Sequence, residues 1–91
     1  MYLWVISYDI TDDKRRNNLA KLLLSYGERV QYSVFECRLK DIADLTDQVN
    51  ELIDLEQDSV RIYRICDTCR EKISLKGQAP DYSSNEHFII I

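Results

Sequence analysis

The sequence predicts an α+β sandwich: one sheet with two helices packed on one of its faces. Three observations carry this. Strand-like and helix-like segments follow one another in the order β-α-β-(β)-α-β-β. Two of these segments repeat apolar residues at helical spacing, one stripe each. A length of 91 residues leaves room for a single modest core. With 45% hydrophobic and 31% charged residues, two glycines and one proline, the composition excludes collagen-like, low-complexity and disordered classes.

Residues 2–9, YLWVISYD, form an almost uninterrupted β-branched and aromatic run, suited to a central strand with both faces covered. A helix is predicted over 12–26, where Leu19, Leu22, Leu23 and Tyr26 make one stripe. Thr11 or Asp12 serves as its N-cap and Gly27 as its stop. Residues 29–39, RVQYSVFECRL, are strand-like, but their parity changes midway. Val30, Tyr32 and Val34 share one face, whereas Phe35, Cys37 and Leu39 share the other. A slip of one in a period of two implies a bulge or a tight reversal near Ser33–Val34.

A second helix spans 41–55, capped by Asp41, with Ile42, Leu45, Val49, Leu52 and Ile53 on one stripe. Residues 59–66, SVRIYRIC, alternate strictly as a further strand. A tight CDTC turn then leads to a short strand at 71–76. Residues 1–78 make the compact unit and 79–91 a tail, ending in the apolar HFIII. Two helices cover one face of a four-stranded sheet, not both, yet the first strand is apolar on each side. The open face calls for a partner, and a homodimer packed sheet against sheet is the simplest. Residues 87–91 are expected to add to a sheet edge, the partner's rather than their own.

No apolar run approaches the roughly 20 residues of a membrane helix, and no N-terminal segment has signal-peptide character. A cytoplasmic protein with no membrane partner is expected. The net charge of −4 argues against a polyanion partner, but it is uneven. Residues 1–40 carry +2 and residues 41–91 carry −6, so a nucleic acid would meet the first half. Cys37, Cys66 and Cys69 are too few and odd in number for a disulfide framework. Cys66-x-x-Cys69 lacks the further ligands of a zinc site and the strand-then-helix setting of a redox pair, so free thiols at a turn are expected.

Asp9 closes an apolar strand with no helix dipole to justify it, whereas Asp12 and Asp13 read as ordinary helix-start acids. One carboxylate with waters suffices for magnesium, and in a two-fold dimer the two Asp9 side chains can share an ion. Lys14, Arg15 and Arg16 place three cations in a first turn, against the macrodipole. Phosphate contact and a merely solvated surface explain them equally well. Arg29, Arg38 and Lys40 extend the basic face.

The segment YDITDDKRRNNLAKLLLSYGERVQYSVFE, followed by a helix and DSVRIYRIC, resembles the small CRISPR-associated family known as Cas two. The resemblance covers residues 2–77, and its most specific parts are Tyr8-Asp9-Ile10, Asp12–Arg16 and Gly27 through Phe35. It implies a ferredoxin-like fold, a homodimer, and a role in spacer acquisition with the Cas one integrase. It also implies a metal-dependent endonuclease acting on single-stranded RNA or double-stranded DNA. Asp9 falls on the family's metal-binding aspartate, while Arg16, Arg29 and Phe35 fall on positions tied to the nuclease site. These four are the candidate catalytic residues. Lys14, Arg15, Arg16, Arg29 and Arg38 are the candidate nucleic-acid contacts. Some relatives carry a further arginine where this chain has Asn18. The competing readings are a non-catalytic scaffold, a VapD-type toxin ribonuclease and, last, a small-molecule regulatory domain.

Overall fold

The computed structural model describes residues 1–79. Its elements are β1 (Tyr2–Asp9), α1 (Asp13–Leu24), β2 (Gly27–Gln31), β3 (Val34–Leu39), α2 (Ala43–Leu52), β4 (Ser59–Ile65) and a single turn of helix, α3 (Asp67–Arg70). The strands form one antiparallel sheet in the order β2-β3-β1-β4. This is the expected α+β, ferredoxin-like sandwich, with the apolar run 2–9 at its centre.

On the helical side, Ile6, Tyr8 and Ile10 meet Phe35 and Cys37 from β3, Leu19, Ala20 and Leu23 from α1, and Leu45 and Val49 from α2. Each large side chain fully buried here contributes about 1.5–3 kcal/mol before ordering entropy is subtracted. The two predicted stripes are the buried ones, although Leu22, Tyr26, Ile42 and Ile53 lie at the margins of the core. Of the two possible caps Asp12 is used, its carboxylate accepting the Arg15 amide at 2.9 Å. Asp41 accepts the Ala43 amide at 2.9 Å, which starts α2 two residues later than predicted.

The parity slip is both of its alternatives at once. The chain reverses at Tyr32–Ser33, and the β2–β3 register shifts between Arg29 and Gln31. Gly27 is not the stop of α1, which closes at Ser25 with the Ser25 amide on the Leu22 carbonyl at 3.1 Å. Instead it opens β2 against Cys37, where a Cβ would overlap the Glu36 carbonyl oxygen and lie 2.7 Å from Cys37 Sγ. Gly27→Ala is therefore expected to destabilise the fold by about 1–3 kcal/mol, as overpacking does. A denaturant titration reads this as a lower midpoint at unchanged slope.

Two expectations about the far side of the sheet change. Residues 71–76 form no strand. The chain leaves β4 through α3 and comes to rest beside β2 and β3. There Leu75, Lys76, Gln78 and Ala79 share a groove of about 480 Å³ with Val30, Gln31 and Glu36. Gly77, at φ +67°, supplies the left-handed residue that the turn from Lys76 to Ala79 requires. By register, Glu36 lies on the face opposite the helices, together with Val5, Leu3 and Tyr63. Leu3 on that face is fully buried. Part of the face is thus covered by the chain itself. The expected terminal strand at 87–91 lies outside the described residues. Among those described, no helix is long and apolar enough to cross a membrane.

Candidate functional site

β1 ends at Asp9, and the chain turns through Ile10 and Thr11 into α1. The register of β1 with β3 brings the Tyr32–Ser33 reversal over this end, with the Tyr8 amide on the Ser33 carbonyl at 3.1 Å. The Tyr8 hydroxyl donates to the Tyr32 carbonyl at 3.4 Å. Together Tyr8, Asp9, Ile10, Thr11, Arg16, Tyr32 and Ser33 enclose an open cavity of about 490 Å³.

Arg16 folds back over the helix start. Its Nη1 donates to the Ile10 carbonyl at 3.1 Å and to that of Thr11 at 3.3 Å, and its Nη2 pairs with Asp13. These bonds brace the connection that follows Asp9. Arg16 Nε is buried with no hydrogen-bond partner. Asp13 first, and then the Tyr32 side chain, make this guanidinium hold its proton more tightly than usual. Behind the cavity the Arg29 guanidinium lies 5.6 Å from the Tyr32 ring and 5.2 Å from the Phe35 ring. Phe35 in turn stacks on Tyr8 with ring centroids 6.2 Å apart.

The expected residues therefore separate into groups. Asp9 and Arg16 line one cavity, and Arg29 reaches it through Tyr32. Phe35 is fully buried in this chain, with Tyr8 stacked on its ring and Arg29 over it. Lys14 is exposed on the first turn of α1. Arg15 turns the other way, its Nε on Asp58 Oδ2 at 2.8 Å and its Nη2 on Asp58 Oδ1 at 3.2 Å. Arg38 pairs in register with Leu3, six residues and so about 20 Å along β1 from Asp9. The basic segment does not present a single face. Tyr8, Tyr32 and Ser33 were not singled out from sequence as site residues; the parity slip marks the reversal, but only the sheet register shows what it covers.

The Arg15–Asp58 pair is structural. The Asp58 side chain is inaccessible and also accepts the Asp54 amide at 2.8 Å. Arg15, followed by that amide, holds the carboxyl below its ordinary 3.8. A folded pKa below the unfolded one gives stability that is complete above 3.8 and is lost as the pH falls below it. Asp58→Asn should be less stable than the parent at neutral pH, and its stability should fall less steeply on acidification. Denaturant midpoints measured at neutral and acid pH check both signs.

Among the carboxylates at this end, Asp12 caps α1, Asp13 pairs with Arg16 and Asp58 pairs with Arg15. Asp9 is exposed and takes part in none of the ion pairs among the described residues. Fold and site together define a small ferredoxin-like protein with one uncommitted acid at the end of its central strand, on a cavity it shares with Arg16. Residues 1–73 match the family described as CRISPR associated protein Cas2, and the chain belongs to that family.

It is 47% identical over 91 residues to CRISPR-associated endoribonuclease Cas2 1 of Chloroflexus aurantiacus, covering 97% of this chain and 98% of that relative. To CRISPR-associated endonuclease Cas2 2 of Thermus thermophilus it is 54% identical over 65 residues, covering 69% of this chain and 72% of the other. A chain in a solved structure, described as a partial Cas6-RT-Cas1--Cas2 complex, superposes with a TM-score of 0.72 at 30% identity. That superposition covers 81% of this chain and 89% of the other. Family membership selects the nuclease and scaffold readings over the toxin and the regulatory domain.

Proposed function

We propose that this chain works in CRISPR adaptation with the Cas1 integrase, as a homodimeric, magnesium-dependent endonuclease that cleaves phosphodiesters of RNA or DNA. The observation that carries this is Asp9: an exposed carboxylate without an ionic partner among the described residues, on a cavity that Arg16 lines and Arg29 approaches through the Tyr32 ring. The nuclease names of the relatives and the Cas1-containing complex support it.

The donor set suits a hard ion. No cluster of three or more His, Cys, Asp or Glu gathers among the described residues, so one chain offers one carboxylate. Magnesium accepts one or two carboxylates and completes its shell with water and phosphate oxygens. Asp9, joined by Asp9 of a second copy, would hold it. When bound, the ion supplies the charge that polarises a phosphodiester and acidifies water. The chain's own part is to grip and orient. Arg29, spread over Tyr32 and Phe35, offers a guanidinium whose direction is fixed by two rings, fit to hold a phosphate oxygen. Arg16 keeps the Asp9–Asp13 connection rigid and adds positive charge beside the same cavity.

The scaffold reading has one specific observation in its favour. Arg16 spends both Nη atoms on Ile10, Thr11 and Asp13, which leaves fewer donors for a transition state. Incubating the purified protein with a single-stranded RNA and a DNA duplex of the same sequence tests the nuclease. Cleavage is expected with magnesium, to stop on chelation and to return with excess magnesium. Cleavage that continues under chelation refutes the metal role, and intact binding without cleavage at any magnesium concentration leaves the scaffold.

A further inference from the structure

The CDTC segment does not sit as its sequence suggests. It is not a turn between two strands: Cys66 follows directly on β4 and caps α3, and Cys69 lies one helical turn later. Two cysteines at this spacing, held on one side of a single helical turn, can exchange with a disulfide. Both thiols are exposed. Cys66 Sγ accepts the Cys69 amide at 3.4 Å, so the two residues are already folded toward each other.

We infer that Cys66 and Cys69 form a redox-active dithiol that closes to an intrachain disulfide on reaction with a small-molecule disulfide such as oxidised glutathione. Cys66 is the attacking group. Hydrogen bonds from Cys69, backbone and side chain, lower its pKa, whereas donation to Cys66 raises that of Cys69. In the first step the Cys66 thiolate attacks one sulfur of the external disulfide, an S–S bond forms and one thiolate leaves, taking a proton from water. In the second, Cys69 gives up its proton and attacks Cys66 Sγ, and the second external thiolate departs. Two electrons and two protons pass from the protein to the external disulfide, which ends as two thiols.

The third thiol provides an internal control. Cys37 is buried in the core, and burial, followed by Glu28 and Glu36, pushes its pKa up to about 11. It should not react in the folded chain. The dithiol also stands where the chain leaves the sheet, at the root of the segment that crosses to β2 and β3, so closing it would fix the direction in which that segment departs.

The sequence makes the test direct, because cleavage after Arg64 and Arg70 releases both cysteines in one peptide, ICDTCR. The folded, full-length protein is equilibrated with oxidised and reduced glutathione, blocked with an alkylating agent, digested with trypsin and weighed. The expected product is this peptide lighter by two hydrogens and unalkylated, with Cys37 labelled only after denaturation. Cys69→Ser should stop at a glutathione adduct on Cys66, and Cys66→Ser should react at least tenfold more slowly than the parent. A wild-type peptide that remains alkylated, carries glutathione on both thiols, or is joined to a second chain would overturn the inference. So would a Cys66→Ser protein that reacts as fast as the parent. Both residues are exposed, so the serine variants are expected to fold, and circular dichroism checks that they do.

Discussion

Asp9→Asn is expected to lower magnesium-dependent cleavage by at least about a hundredfold, because the metal's charge stabilisation is worth several kcal/mol and each 1.4 kcal/mol is about tenfold. The substitution keeps size and shape and removes only the negative charge. Asp9 is exposed and holds no ion-pair partner among the described residues, so no buried group is orphaned. Stability should stay within about 0.5 kcal/mol of the parent. Binding of uncleaved nucleic acid should persist, or strengthen slightly, since a like charge has been taken from beside the phosphates. Cleavage assays on the purified variant, alongside spacer acquisition in cells, then separate the two readings. Lost cleavage with acquisition intact makes the scaffold the biological role, and undiminished cleavage removes Asp9 from the chemistry.

Phe35→Ala should have the largest effect on the fold, about 3–5 kcal/mol. The ring is fully buried and lies at the centre of the helical side of the sheet. A domain of ordinary stability, about 5–15 kcal/mol, would be left marginal by such a loss. The site should suffer as well, since Tyr8 loses its stacking partner and Arg29 loses one of its two rings. Phe35→Leu separates these effects. It restores most of the buried volume and none of the ring contacts, so stability should largely return while nucleic-acid affinity stays reduced. Thermal melts and binding isotherms on the two variants measure the two losses independently.

Where local pattern and tertiary burial agree, the fold was legible in the sequence. The stripe of α1 and the parity slip at Ser33 are periodic signals, and periodicity is set by backbone geometry alone. Asp9 stood out because a charge at the end of an apolar strand needs a reason. The failures have a common cause. Whether EKISLK becomes a strand depends on a free edge in the right place, and six alternating residues carry no information about that. Arg15 and Arg16 are neighbours in one basic run. Yet Arg15 is claimed by Asp58, 43 residues away, and only the packing of the β4 approach against α1 decides it. Phe35 was placed at the site through resemblance. Its burial follows from a register that the strand residues do not spell out.

The strand order has a consequence for the birth of the molecule. β1 is made first and lies at the centre of the sheet, and one of its two neighbours, β4, is the last strand made among the described residues. At about 5–20 residues per second, roughly 3–11 s pass between synthesis of β1 and completion of β4. Throughout that interval this apolar strand has an unpaired side, and closing the β1–β4 ladder requires a long loop. The domain thus folds as a unit only after Ile65 has cleared the ribosome. A nascent chain stalled between β3 and β4 would expose the edge of β1, which makes it the species most prone to aggregate.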